Sequence, residues 1–259
     1  MLTGFKKKIL ALYNWPYVSK DVADARQKFI RNYEWAAISR FIRPGRFLDV
    51  GCGAGYAMKR AEEDFSSETS GIDPDPGAHG VGRYNEGYIQ PANVLKGFSE
   101  NLPYDNKSFD TVYSSHVLEH VNDVSMTLKE MNRVMKDDGV LIIGMPTATM
   151  AFMNGLTPYL LTTHHRIVNF FFSRIITTGK GTFKEIFFPP SHSHAGHSFL
   201  FDMKYYRVSS WKKMLEKEFV VEQTLLPLLY CYPEFREFFK PVKSKRFASS
   251  VLFICRKKQ

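Results

Sequence analysis

A short apolar stretch that runs into three closely spaced glycines constrains this chain more than any other feature. Residues 47–55 read FLDVGCGAG, an apolar strand followed by glycines at 51, 53 and 55 and then by a helical pattern. Glycine takes a positive φ easily and lets backbone N–H groups approach a ligand that any Cβ would push away. The pattern predicts a strand–loop–helix unit for a nucleotide-like ligand, although a glycine loop alone indicates this only weakly.

A second short strand, TSGID, ends at Asp73, which lies 24 residues after Asp49. A carboxylate at this position can accept hydrogen bonds from both hydroxyls of a ribose. The spacing also suits a dinucleotide dehydrogenase, but the loop reads G-C-G-A-G and lacks the third glycine of G-x-G-x-x-G.

Two further blocks decide between these interpretations: GFSENLPYDNKSFDTVYSSHVLEHV at residues 97–121 and MNRVMKDDGVLIIGMP at residues 131–146. Together with FLDVGCGAG and GIDPDP they resemble the class I S-adenosylmethionine (SAM) dependent methyltransferases. The pattern LPxxxxSFDxVxxxxVLEHV is similar to the small-molecule, methyltransferase type 11-like branch of that family. The resemblance implies SAM as cofactor and an α/β, Rossmann-like, doubly wound and mostly parallel seven-stranded sheet whose last strand is antiparallel.

The resemblance also implies roles for individual residues. The backbone around the glycines would hold the methionine end of the cofactor, Asp49 its ammonium group, directly or through water, and Asp73 its ribose. Pro74, Phe98 and Ser99 would frame the adenine. Phe98 replaces the acidic residue that usually meets the adenine amino group, so stacking or a backbone contact would take over. The implied cofactor-binding residues are Asp49, Gly51, Cys52, Gly53, Gly55, Asp73, Pro74, Phe98, Ser99, Ser115 and His116.

Transfer to an oxygen acceptor needs a base, and histidine titrates near neutral pH. His116, at the end of the fourth predicted strand, is the first catalytic candidate by the resemblance, and His197 is the second. For His120 we expect no more than a turn fixed together with Glu119. SHSHAGH, which contains His197, has metal-like spacing, but without paired carboxylates or cysteines we predict no metal.

The charge is distributed unevenly along the chain. Residues 1–46 carry a net charge of +7, residues 47–146 carry −8 and residues 147–259 carry +10. Basic flanks favour an anionic acceptor, a nucleic acid or an acidic membrane surface, while a merely basic surface is the plain alternative. The three cysteines form no CxxC pair and no run approaches a membrane span, so we expect a cytoplasmic protein, with peripheral contact to the inner face of the membrane left open.

The periodicity of the chain predicts its organisation. Residues 1–45 form an N-terminal helical segment with an amphipathic helix over 20–42, whose apolar stripe includes Val22 and Phe29. Residues 46–259 form the methyltransferase domain. Strands are predicted at 46–50, 69–73, 93–97, 109–115, 139–145, 219–226 and 248–257, and helices at 54–65, 122–136 and 203–219.

Residues 147–200 are too long for a simple crossover after the fifth strand and form a helical or irregular insertion. Its apolar residues from Leu160 to Ile176 repeat at three and four, which predicts one apolar helix face. That face packs on the domain, covers the acceptor pocket as a cap, or touches a membrane.

Three functions remain open at this stage. The first is methyl transfer to a small-molecule, glycan or lipid-linked acceptor, at oxygen. The second is an RNA or protein methyltransferase, which the basic surface permits although the fourth strand ends in SSHV rather than the N/D-P-P-Y type. The third is a SAM-binding module without catalysis.

Overall fold

The computed structural model describes residues 17–82, 93–153, 199–231, 233, 240–244 and 246–258. Within them a single sheet of seven strands has the order β3-β2-β1-β4-β5-β7-β6. The strands are β1 Arg46–Val50, β2 Glu68–Asp73, β3 Val94–Lys96, β4 Phe109–Ser115, β5 Met135–Pro146, β6 Phe219–Leu225 and β7 Ser250–Lys257.

Strands β1 to β5 pair in parallel, and β7 lies antiparallel between β5 and β6. The predicted mixed seven-stranded sheet with an antiparallel last strand is therefore confirmed. The order reverses beside β1, because the chain runs outward through β2 and β3 and then returns to β4. Ligands of open α/β sheets bind at the carboxyl edge at such a switch point.

The helices lie around this sheet and explain why its central strands are apolar on both faces. They are α1 Lys20–Ile38, followed by a 3₁₀ turn at Ser39–Phe41, α2 Tyr56–Phe65, α3 Val124–Val134, α4 Phe199–Tyr205 and α5 Val208–Leu215. β5 is buried from Val140 to Pro146, and β7 is buried over its first six residues. These buried strands support the loops at the carboxyl edge of the sheet.

Two predicted helices end differently from the prediction. The helix expected over 122–136 ends at Val134, because Met135 already pairs with Phe109 as the start of β5. The helix expected over 203–219 is two helices, separated where Arg207 takes an extended conformation. The break lets Tyr206 stack on Trp211, whose indole N–H donates to the Pro146 carbonyl at 2.8 Å.

The inward face of α1 also differs from the predicted stripe. Val22 and Phe29, expected on the apolar face, are 41% and 53% exposed, whereas Glu34 is buried. Trp35 takes the core position and packs against Phe47 of β1. A helix that buries a charged residue needs a partner for it, and that partner lies at the carboxyl edge of the sheet.

No helix in the described part of the chain is both long and apolar enough to cross a membrane. The insertion at 147–200 lies mostly outside the described residues, as does its predicted apolar face. The domain boundaries at 45 and 147 stay predictions.

Candidate functional site

The glycine loop turns sharply at the end of β1. The N–H groups of Gly51 and Cys52 both donate to the Ile72 carbonyl, which ties the loop to β2. Gly51 and Gly53 have φ of 79° and 50°, in the left-handed region that favours glycine. A Cβ on Gly51 would collide with Val117, and a Cβ on Gly53 would lie 2.6 Å from the His79 carbonyl oxygen. The loop is therefore packed closely against the segments that follow β2 and β4.

Gly55 caps the same loop. It has φ of 83° at the N-cap of α2, and its N–H donates to the Cys52 carbonyl at 2.8 Å. Cys52 is buried, and burial raises the pKa of its thiol, with the charges of Asp49 and Asp73 adding to the effect. The thiol therefore stays protonated and acts as a packing group, so only the backbone at Cys52 remains for the predicted role.

Asp73 ends β2 directly beneath the glycine loop. Its carboxylate accepts from the N–H of Gly53 and from the N–H of Asp75, each at 2.8 Å. Each carboxylate oxygen has a second lone pair, so both can still accept a hydrogen bond from a ligand hydroxyl. The geometry fits the predicted role of Asp73 as the acceptor for two neighbouring hydroxyls of a ribose.

Asp49 lies on the neighbouring strand and is 3% exposed. Burial, and secondarily the charge of Asp73, raise the pKa of Asp49 to about 8. The ionised form of Asp49 is unfavourable because the side chain is buried close to a second carboxyl group. A bound cation would stabilise that ionised form. The site thus suits a ligand that carries both an ammonium group and a ribose, as SAM does.

The residues predicted to frame an adenine divide into two groups. Pro74 is exposed, and Phe98 is 63% exposed two residues after β3, so its ring is not part of the core. Ser99 is buried instead, with its hydroxyl 3.0 Å from the hydroxyl of Thr127 on α3. Pro74 and Phe98 therefore present free surface beside Asp73, whereas the Ser99 side chain is turned toward α3.

The end of β4 carries the acceptor-side candidates. Ser115 ends the strand, and the Arg31 guanidinium donates to its hydroxyl at 3.3 Å. His116 follows with φ of 57°, rare for a residue other than glycine, and its N–H donates to the Gly144 carbonyl of β5 at 2.9 Å. Because Val117 packs on Gly51, this turn lies directly beside the glycine loop.

The His116 ring is oriented by Glu119. Its Nδ1 lies 3.4 Å from Glu119 Oε1, while its Nε2 is buried and has no hydrogen-bond partner among the described residues. The Glu119 side chain is 3% exposed and its Oε2 is likewise buried and unpartnered. Unpaired buried polar atoms are costly, so these two atoms are candidates for contact with a bound ligand.

Glu119 has a second role beyond the turn that the sequence predicted. Burial alone would raise the pKa of Glu119, but the hydrogen bond and charge of His116, with His120 contributing, lower it below the usual value. The carboxylate is therefore ionised and can stabilise a proton on His116. His120 is more distant from the carboxylate than His116 is: its Nε2 lies 4.0 Å from Glu119 Oε1, and its side chain is 37% exposed.

A buried ion pair on α1 supports the same edge and was not found by the sequence analysis. Arg31 pairs with Glu34, and Ser250 of β7 donates to Glu34. Burial opposes ionisation of Glu34, but the charges of Arg31 and His116 outweigh it, so its pKa lies below the usual value. The one local signal was the pair of charged residues three apart on an inward helix face.

Aromatic side chains of α4 and α5 line the other side of Glu119. Tyr205 lies edge-on to Trp211 with ring centroids 5.0 Å apart, and Tyr206 stacks on Trp211. Burial, together with the charge of Glu119, raises the pKa of both tyrosines. Their phenols remain neutral hydrogen-bond donors beside a charged carboxylate.

His197, the second predicted base, lies outside the described residues, as does the rest of SHSHAGH. In the ranges that the structure covers, no three His, Cys, Asp or Glu side chains cluster to hold a metal ion. The described candidates for proton transfer are therefore His116 and its neighbours.

Comparison with known proteins agrees with this geometry. A family profile described as "Methyltransferase domain" matches residues 48–143, from β1 to β5. The chain is 34% identical over 118 residues to a tRNA U34 carboxymethyltransferase of Aeromonas salmonicida (strain A449), a match that covers 43% of this chain and 36% of that protein. It is 29% identical over 139 residues to a 2-methyl-6-phytyl-1,4-hydroquinone methyltransferase of Synechocystis, covering 52% of this chain and 42% of the relative.

The chain thus spans less than half the length of these two curated relatives. Among solved structures, an S-adenosylmethionine dependent methyltransferase from Mesorhizobium loti superposes with a TM-score of 0.52 at 15% identity, covering 87% of this chain and 98% of that one. At that identity the likeness bears on the fold alone. The matched motifs, the sheet order and the site beneath the glycine loop agree: residues 48–143 carry a methyltransferase domain, and the residues beneath the glycine loop suit SAM as its cofactor.

Proposed function

We propose that this chain transfers a methyl group to an oxygen of a small-molecule, glycan or lipid-linked acceptor, with His116 as general base. The observation that carries the proposal is the buried, unpartnered Nε2 of His116 beside the glycine loop. A base must lie within hydrogen-bond reach of the proton that it abstracts, and this buried nitrogen has no competing partner among the described residues.

In the proposal, some residues of the chain bind the cofactor and others take part in proton transfer. Asp73 and Asp49 hold the ribose and ammonium ends of the cofactor, and Phe98 and Pro74 supply the apolar surface for its base. When bound, SAM supplies a methyl carbon already activated by a positive sulfur. The protein then needs to position the acceptor, exclude water and remove one proton.

Glu119 acts in the proposal as a positioning residue. It fixes the orientation of His116 through Nδ1, and its negative charge stabilises the imidazolium that forms when Nε2 takes the proton. Arg31 and Glu34 support this arrangement from α1, since Arg31 also holds the hydroxyl of Ser115.

The insertion at 147–200 is proposed as a cap over the acceptor, with His197 as a second candidate base. The basic segments that flank the cofactor core favour an anionic acceptor. A second candidate, an RNA acceptor, is supported by the tRNA carboxymethyltransferase among the relatives. A protein acceptor and a SAM-binding module without catalysis are the remaining alternatives.

The acceptor class can be tested with the full chain. Purified protein would be incubated with SAM radiolabelled in the methyl group and with separate lipid, glycan, small-metabolite and RNA fractions. The proposal expects label in a small-molecule, glycan or lipid fraction that resists mild acid and alkali, as an ether does. Label in RNA alone would contradict it, and SAM binding without transfer to any fraction would favour the non-catalytic alternative.

Replacing the base should separate chemistry from cofactor binding. We expect His116→Gln to lower the transfer rate by about 10² to 10⁴-fold, the usual contribution of general base catalysis, with a much smaller effect on SAM affinity. His120→Gln is the matched control, because His120 lies nearby but farther from the Glu119 carboxylate. Equal loss of transfer in both variants would contradict the assignment to His116.

A further inference from the structure

The outer surface of α1 combines exposed apolar and basic side chains in an arrangement that the site does not explain. Residues 22, 26, 29 and 33 are spaced four, three and four apart and so form one stripe along the helix. Phe29 on this stripe is 53% exposed. The acidic residues of α1, Asp21, Asp24 and Glu34, fall outside the stripe.

The segment between β6 and β7 extends this surface. It is fastened to α1 because Leu228 and Tyr230 pack with Ile30 and Tyr33. Val242 forms an antiparallel bridge with Leu229, and the Lys243 ammonium lies 5.4 Å from the centre of the Tyr33 ring. The segment therefore lies against α1 and extends its outer surface at Tyr33 and Lys243.

This face is basic as well as apolar. Val242 and Phe247 are 50% and 57% exposed, and the described residues from 240 to 247 include Lys240, Lys243 and Arg246 but no acidic side chain. We call the face made by Phe29, Tyr33, Val242, Lys243, Arg246 and Phe247 the basic–apolar surface.

The basic–apolar surface adjoins the carboxyl edge of the sheet. The segment that forms it runs into β7 at Ser250, whose hydroxyl donates to Glu34, and the neighbouring Arg31 reaches Ser115. The same helix thus contacts the proposed acceptor side with one face and presents the basic–apolar surface with another.

We propose that the basic–apolar surface docks the protein on an anionic lipid membrane. Lys and Arg near an acidic leaflet are attracted by its negative potential, and exposed apolar side chains beside them enter the boundary between headgroups and acyl chains. Charge complementarity favours an acidic partner, and the exposed aliphatic side chain of Val242 suits the headgroup boundary of a membrane. The aromatic side chains could also stack on bases, so RNA binding is an outcome that the test must distinguish. An acceptor that resides in the bilayer would then meet the carboxyl edge of the sheet.

Vesicle co-sedimentation of the full chain tests the proposal. The probes are vesicles of phosphatidylcholine alone and vesicles that also contain phosphatidylglycerol. We expect binding to the anionic vesicles only. Phe29→Ser with Val242→Ser, and separately Lys243→Glu with Arg246→Glu, should each weaken binding by about tenfold or more.

Matched controls lie near the start of β6, at the opposite end of the strand from the segment that carries the basic–apolar surface. Val220 is 48% exposed on β6, and Lys217 is exposed beside it, so Val220→Ser and Lys217→Glu remove the same chemistry elsewhere and should bind as the parent protein does. The proposal is wrong if the parent protein binds neutral and anionic vesicles equally, or if both surface variants bind vesicles as the controls do. It is also wrong if Lys243→Glu with Arg246→Glu weakens binding to RNA but not to vesicles. Vesicle binding is measured without an acceptor, and SAM affinity serves as the check for folding. A negative result for the membrane proposal would therefore not contradict the proposed methyl transfer.

Discussion

Two carboxyl groups on adjacent strands, Asp49 and Asp73, end beneath the glycine loop but differ in their surroundings. Asp73 accepts two backbone hydrogen bonds, whereas the pKa of Asp49 is raised to about 8 by burial and by its neighbour. The contrast assigns different work to them, since Asp73 is fixed by two backbone donors while Asp49 ionises when a cation arrives.

The raised pKa of Asp49 makes the stability of the unliganded protein depend on pH. Between about pH 4 and pH 8 the unfolded chain has lost the Asp49 proton and the folded chain keeps it, so the stability falls as pH rises, by roughly 1.4 kcal/mol per pH unit at most. Asp49→Asn removes this dependence. Urea unfolding at about pH 5 and about pH 8 should show the variant gaining on the parent at the higher pH. A stability difference that is the same at both pH values would contradict the assigned shift.

Local spacing was enough to predict where some residues of the candidate site lie, but not others. Asp73 and His116 stand at fixed positions in motifs that follow a strand, so their place at the carboxyl edge follows from the order of elements. Arg31 and Glu34 could not be predicted in this way, because their partners Ser115 and Ser250 are 84 and 216 residues away in sequence.

At the scale of elements, the glycine loop owes its shape to packing as much as to ligand access. Gly53 and Gly77 both have positive φ, so alanine at either position pays a similar conformational cost. Only at Gly53 would the new Cβ also meet a backbone carbonyl, at 2.6 Å, while at Gly77 no atom lies within 4 Å. We expect Gly53→Ala to weaken SAM binding at least tenfold and Gly77→Ala to have a smaller effect. Calorimetry of the two variants would check this, and equal losses would mean that backbone strain alone matters.

The elements themselves were predicted where hydrophobic period and chain order agree. The seven strands match to within a few residues, apart from β5, which begins at Met135 instead of 139. Three differences from the prediction share a cause: the early start of β5, the two-helix form of 199–215, and the exposure of Val22 and Phe29. In each case contacts with distant residues, such as Phe109 or Pro146, determine an outcome that the local period does not specify.

For the whole molecule, the proposed cap makes a separate prediction. Replacing residues 150–196 by a short Gly/Ser bridge should leave SAM affinity within a few-fold while abolishing methyl transfer, because the site beneath the glycine loop is built from β1, β2 and β4. Circular dichroism and thermal unfolding provide the control for folding. Full transfer activity in the shortened protein would contradict the cap, and loss of folding would show that the segment belongs to the core.

The central claim for the whole molecule is that the site beneath the glycine loop binds SAM through Asp73. Isothermal titration calorimetry of SAM against the parent, Asp73→Ala and Asp75→Ala tests it most directly. Loss of a charged hydrogen-bond acceptor costs about 1.5 to 3 kcal/mol, so Asp73→Ala should weaken binding at least tenfold. Asp75→Ala keeps the backbone N–H that Asp73 accepts and should bind as the parent does. Unchanged affinity in a folded Asp73→Ala protein would contradict the account.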